Sequence, residues 1–291
     1  MPEISGGVAL ALASALGWSL YDLERRFLAV RVPALALVAG MTAGTAVPLA
    51  LWAVASGGLH CVGGYWLPAT TSVVLNLAAN FSYFQSLQIS PISKTLPMLA
   101  FTPAFAALLA AIFLGERLPL RGVAGLALVV VGALLLTLAP GRGLRGLLSG
   151  IAEDRGCRLM IGVALLWSAA LLLDKRALSL ATPQLHALVL NGGVSLGAFV
   201  VLASRRQLSD IRRLRGSLGW LVLAIATGAA ALASQLLALG TVPVGFLETV
   251  KRGVGGLLAV LWGRMLLAEP IRAGKLAAIA LMTAGVALVV L

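Results

Sequence analysis

Three ionisable residues stand where so apolar a chain has little room for them. Glu248, Lys251 and Arg252 fall in the hydrophobic run of residues 244–267, whose one other charge is Arg264. Their i, i+3, i+4 spacing lets the carboxylate meet either cation along one side of a helix. A charge in mid-membrane costs about 2.5–3.5 kcal/mol on insertion scales, so its presence calls for a reason. A Glu248 pair with one cation leaves a positive charge over, which suits an anion or a substrate carboxylate. Lys251 and Arg252 are about 100° apart around the axis and cannot both point straight at one cavity. The competing reading starts the helix near Gly253 and leaves the three charges at headgroup level. The 11 residues between Arg252 and Arg264 favour it, being too few to span alone.

Other polar positions are weaker. Asn76, Asn80 and Tyr83 follow i, i+4, i+7 and share one helical face, as cavity lining or as helix–helix glue. Gln235 lies 152 residues after Tyr83, and Trp167 lies 149 after Trp18. The two tryptophans suit either a flat cavity wall with an N–H donor or an interfacial belt near helix ends. Asn191 and His186 read as local hydrogen-bonding residues. Glu116 and Glu269 belong to short loops and suggest structural capping as readily as coupling. Asp22, Glu24 and Asp174 look like solvated helix ends, so no proton-relay carboxylate stands out. Pro97 and Pro103 free backbone carbonyls and permit bending. With two distant histidines, no His-Glu-x-x-His and no Gly-x-Ser-x-Gly, an enzyme is not expected. No cofactor and no metal are expected either. Cys61 and Cys157 have no metal or redox spacing, and fall in the second and fifth loops on opposite membrane faces.

The elements that hold these residues are hydrophobic runs punctuated by charge. Of 291 residues 60% are hydrophobic and 11% charged, with mean hydropathy +1.02, against roughly a quarter charged in soluble domains. The chain therefore reads as an all-α membrane protein of ten transmembrane helices. The expected spans are 4–21, 33–55, 66–87, 96–114, 122–138, 159–173, 185–203, 218–239, 244–267 and 271–291. The net charge of +12 sits in short inter-helix tracts, the pattern of the positive-inside bias and not of nucleic-acid binding. An even helix count puts both termini on one side. With the termini outside, 16 of the 22 Lys and Arg are cytoplasmic, so charge favours that orientation. The partners expected are the lipid bilayer and a small-molecule solute; a homodimer stays open, and the location is a cell (inner) membrane.

The two halves resemble each other. Trp18-Ser19 corresponds to Trp167-Ser168, and Leu114-Gly115-Glu116 to Leu267-Ala268-Glu269, at offsets of 149 and 153 that also place Gly132 on Gly285. Five helices per half forces opposite orientations, an inverted-repeat design recurrent in transporters. The expected division is a first repeat at 1–138, a linker at 139–158 and a second repeat at 159–291.

Ser90-Pro91-Ile92-Ser93, Leu96-Pro97 and Phe101-Thr102-Pro103 run into Phe113-Leu114-Gly115-Glu116-Arg117-Leu118. Val242-Pro243-Val244 and Leu267-Ala268-Glu269-Pro270 echo them. The pattern resembles the EamA-type members of the drug/metabolite transporter superfamily over nearly the whole chain. The resemblance implies ten helices around a central cavity, and a secondary carrier or exporter of small metabolites. Termini inside are usual in that family, against the charge count. Glu248, Lys251 and Arg252 depart from the repeat-related Thr95, Met98 and Leu99. The substrate leaning is to anionic or zwitterionic solutes by alternating access, with a lipid flippase or a drug exporter as alternatives.

Overall fold

The computed structural model describes residues 2–90, 95–135, 153–267 and 273–290. Pro91, Ile92, Ser93, Glu269, Pro270 and linker residues 139–152 lie outside them. The described residues form ten α-helices: α1 Pro2–Ala29, α2 Ala34–Ala55, α3 Trp66–Ile89, α4 Thr102–Phe113, α5 Leu120–Leu135, α6 Arg155–Leu178, α7 Pro183–Ser204, α8 Leu218–Leu239, α9 Val244–Leu267 and α10 Ala273–Val290. Two 3₁₀ segments, Leu96–Phe101 and Leu208–Ser217, lead into α4 and α8. By length and composition α1, α2, α6, α7 and α8 are long and apolar enough to cross a membrane. Apolar side chains such as Leu51, Leu67, Ile112, Leu120 and Val222 cover the outside, the surface a lipid solvent requires. This is an integral, multi-pass membrane protein.

Several expected spans needed correction. The first helix does not stop at Tyr21. No glycine or proline breaks the chain before Pro33, and α1 continues through Asp22, Glu24 and Arg25 to Ala29. The expected fourth helix begins instead as a 3₁₀ segment, with Pro97 in its first turn and Pro103 in the first turn of α4. Helix α6 begins at Arg155, inside the expected linker, capped by the Asp154 carboxylate, which accepts from the Cys157 N–H at 3.0 Å. Cys157 is therefore a buried helical residue and not a loop one. The ninth helix begins at Val244, as expected, and not at Gly253.

Packing follows a definite pattern. Helix α1 packs on α8 and α3 on α6; α2 packs on α7, α5 on α10 and α4 on α9. Small residues permit these approaches. A Cβ on Gly44 would lie 2.2 Å from Ile225 of α8, and one on Gly193 would lie 2.9 Å from Val73 of α3. Between α5 and α10 the backbones themselves touch, a Cβ on Gly285 falling 2.6 Å from the Gly125 carbonyl oxygen.

The ends are tied by polar contacts. On what we term the near face, Cys61 bridges Ala181 and the Thr182 hydroxyl donates to the Gly58 carbonyl at 2.5 Å. On the far face the Ser90 hydroxyl donates to Asp154 at 2.7 Å and Phe27 stacks on Trp220. Crowding at the α5–α10 seam yields a test. Gly285→Ala should lower stability by about 1–3 kcal/mol through overpacking. Gly162→Ala, whose Cβ meets nothing within 4 Å, should not. Thermal unfolding of both variants in detergent reads the difference.

Candidate functional site

Glu248, Lys251 and Arg252 of α9 do not lie at the surface. Glu248 is 2% exposed, and the side chains of Lys251 and Arg252 are 10% and 20% exposed. Lys251 Nζ donates to a Glu248 carboxylate oxygen and, at 2.6 Å, to Gln235 Oε1 of α8. Arg252 Nε lies 3.7 Å from the other Glu248 oxygen, an ion pair beyond hydrogen-bond reach. The Lys251 ammonium also sits 5.6 Å from the Trp18 ring centre, a cation–π distance. The expected one-sided cluster is therefore present, with Gln235 and Trp18 brought to it from other helices.

Two turns along α1 from Trp18 stands Arg25, 4% exposed. Its guanidinium donates to Asn80 Oδ1 and lies 3.6 Å from the Asp22 carboxylate. Four rings surround it: Tyr21 at 4.6 Å, Tyr83 at 4.7 Å, Phe84 at 5.2 Å and Trp167 at 5.8 Å. The delocalised guanidinium tolerates this better than an ammonium, since it stacks on ring faces and is weakly hydrated. Trp18 meets Tyr21 edge-on at 5.4 Å, and Tyr83 meets Trp167 at 5.5 Å. A continuous strip of aromatic rings and charges thus joins Lys251 to Arg25.

Both tryptophans occupy the middle of their helices, away from an interfacial belt. Asn80 Nδ2 donates to the Asn76 carbonyl at 2.8 Å, and Asn76 Nδ2 donates to Ser72 Oγ at 3.2 Å. Asn191 makes only a 3.4 Å bond to its own helix.

Sequence reasoning missed Arg25 and misplaced three carboxylates. Glu24 is 2% exposed and accepts from the Thr227 hydroxyl of α8 at 2.5 Å. Asp22 faces Arg25, and Asp174, 3% exposed, lies among Ser72 and His186. None is a solvated helix end. The available signal was the uninterrupted helical run up to Pro33.

Glu116 has a positioning role. Gly115 takes φ +66° and ends α4, a conformation glycine adopts without strain. The Glu116 carboxylate then accepts from the Val244 N–H at 2.9 Å and pairs with Lys175 at 2.5 Å, while Lys175 donates to the Val242 carbonyl at 2.9 Å. It caps α9, the helix that carries Glu248 and Lys251. Glu269 lies outside the described residues.

A membrane-embedded helical bundle that gathers cations, carboxylates and aromatic rings in its interior has the construction of a solute-handling protein. Residues 5–138, somewhat less than half of the chain, match the model of the EamA-like transporter family, and over that segment the chain is similar to those membrane transporters. No curated protein matches the chain in sequence. A protein of known crystal structure, 18% identical, superposes with a TM-score of 0.75 over 98% of this chain and 96% of its own, which shows a shared fold.

Capping by Glu116 is testable. Glu116→Ala should cost about 0.5–2 kcal/mol, the range for a lost helix cap, and leave Lys175 without its carboxylate. A melting temperature unchanged from the parent protein would refute the capping role.

Proposed function

We propose that the protein is a secondary carrier of small solutes bearing a carboxylate, anionic or zwitterionic and amino-acid-like. It works by alternating access around the cluster of Trp18, Asp22, Arg25, Tyr83, Trp167, Glu248, Lys251 and Arg252. One observation carries this reading. Five buried side-chain polar atoms among the described residues have no hydrogen-bond partner. Four of them, Trp18 Nε1, Arg25 Nε, Glu248 Oε2 and Arg252 Nε, belong to this cluster. Leaving such atoms unpaired costs about 1–3 kcal/mol each, more for charged groups. A ligand carboxylate satisfies the guanidinium donors, and a ligand ammonium satisfies Glu248. Three cations here face two carboxylates, so a ligand of net charge −1 completes the balance, and a zwitterion fits with its ends reversed between the two poles. Asn80 holds Arg25 and Gln235 holds Lys251, while Asn76 holds Asn80.

The architecture behind this reading is two inverted repeats, 1–138 and 159–291, joined by 139–158. Its support is an exchange of contacts. Swapping α1–α5 with α6–α10 turns the α1–α8 pair into α6–α3 and returns α2–α7, α4–α9 and α5–α10 to themselves. The Gly44–Ile225 contact becomes Gly193–Val73, at offsets of 149 and 152. Burial of Arg25, Lys251 and Arg252 removes one cation from the richer side of the loop count and two from the poorer, so the charge bias toward external termini widens.

Thermal stability of the purified protein against amino acids, organic anions, lipophilic cations and lipids tests this. A ligand at about 100 times its Kd stabilises by ~2.7 kcal/mol. Carboxylate-bearing solutes should raise the melting temperature, and Arg25→Ala, Lys251→Ala and Arg252→Ala should each abolish or reduce that rise. Stabilisation by lipophilic cations or lipids alone would sink the reading in favour of drug export or lipid flipping.

A further inference from the structure

Between this cluster and the near face lies a second polar network that carrier function does not yet use. His186, wholly buried in the first turn of α7, places Nε2 3.1 Å from Asp174 Oδ1 of α6 and Nδ1 3.1 Å from the Tyr65 hydroxyl at the start of α3. Ser72 Oγ of α3 donates to the same Asp174 oxygen. All four side chains are buried. A tyrosine that only packs needs no histidine, and a buried carboxylate is a costly way to join three apolar helices. Histidine is also the side chain whose ordinary charge change falls between pH 5 and 8.

We propose that the Asp174–His186 pair is a proton-binding site whose occupancy is transmitted to the central cluster. The route is a line of hydrogen bonds along α3. Ser72 accepts from Asn76 at 3.2 Å, the Asn76 carbonyl accepts from Asn80 at 2.8 Å, and Asn80 Oδ1 accepts from Arg25. From Ser72 to Asn80 is about 12 Å along the helix.

Asp174 has no proton to give when ionised, so neutral His186 carries its proton on Nε2 and accepts from Tyr65 at Nδ1. Burial, with Cys61 and Asp174 nearby, pushes the Tyr65 hydroxyl above its ordinary range, so it stays a donor. One added proton goes to Nδ1 and makes imidazolium facing carboxylate. Tyr65 must then turn its O–H away and accept, and the imidazolium draws on the one Asp174 oxygen that also accepts from Ser72, which weakens the first link of the line along α3. The other titratable groups around the pair are few. Exposed His60 and Cys61 lie in the adjoining loop; α2, α4 and α8 carry no Asp, Glu, Lys or Arg. Lys175 of α6 is held by Glu116, Arg176 is exposed, and Glu248 and Lys251 of α9 are held together beside Gln235 and Trp18.

The two halves also differ here in a telling way. At the 149-residue offset that relates Trp18 to Trp167, Arg25 falls on Asp174. In the proposed two-repeat arrangement, a fixed cation at one pole answers a proton acceptor at the other.

The test needs no substrate. The chain has two histidines, so the His60→Gln protein leaves His186 as its sole imidazole. Its ¹⁵N resonances are followed from pH 4.5 to 8.5 beside intrinsic tryptophan fluorescence. Expected is a single imidazole titration, a fluorescence step with the same midpoint, loss of part of that step in Trp167→Phe, and loss of all of it in Asp174→Asn and His186→Gln. Circular dichroism reports whether these variants fold; because Trp66 meets Tyr65 at 5.2 Å and senses the pair directly, transmission is read from the part of the step lost in folded Trp167→Phe, and a step fully retained there overturns it. An imidazole that does not titrate overturns the proposal, as does titration without a fluorescence step, or a step that survives in folded His186→Gln. Failure of every carboxylate to stabilise the protein would remove the substrate reading and leave this result intact.

Discussion

Charge burial in a low-dielectric interior is the constraint on which the arrangement turns. With no water at mid-bilayer, each ionised side chain needs a partner within the bundle, and isolated burial of an ion costs several kcal/mol even after relaxation. Arg25, Lys251 and Arg252 meet this demand with Asp22, Glu248, Asn80, Gln235 and five aromatic rings, drawn from α1, α3, α6, α8 and α9. Those helices have to converge for any of the charges to be tolerated. Helices α5 and α10 carry no such load; they meet through glycine, with backbone against backbone.

How much of this was legible in the sequence depended on whether charge and hydrophobicity agreed. Spans 218–239 and 244–267 match α8 and α9 at both ends, because Gly240 and Pro243 punctuate them. The Glu248–Lys251 pair followed from helical spacing alone. Helix α1 was cut short because Asp22, Glu24, Arg25 and Arg26 together resemble a solvated end. Only three-dimensional partners, Thr227 for Glu24 and Asn80 for Arg25, make their burial affordable. Asp174 was misread for the same reason, its partners lying 102 residues before it and 12 after. Spacing can locate a pair within one helix; it is blind to pairs between helices.

The signature around Glu116 shows a different kind of legibility. Its glycine and glutamate looked like loop residues, and they are. Their effect is felt elsewhere, because Gly115 turns the chain so that Glu116 reaches the free N–H groups that open α9. Helix ends leave their first N–H groups unsatisfied, and a carboxylate there also complements the helix dipole. The register of α9, and with it the depth of Glu248 and Lys251, is therefore set from the end of α4 and reinforced by Lys175.

Alternating access asks that such a bundle have two arrangements of nearly equal free energy, separated by contacts that one event can exchange. Ion pairs are suited to this when ligand groups can substitute for protein groups without leaving a buried charge alone. Lys251 divides its protons between Glu248 and Gln235, and Arg25 divides its donors between Asp22 and Asn80, so each of these two cations keeps a partner when the other is exchanged. A single strong pair would instead lock the helices, since breaking it exposes the full desolvation penalty. Shared partners lower that penalty at every intermediate step. The same holds for Asp174, whose oxygen serves both Ser72 and His186. In the proposed alternating-access cycle, shared pairing at both poles would let charges that organise the bundle also permit it to move.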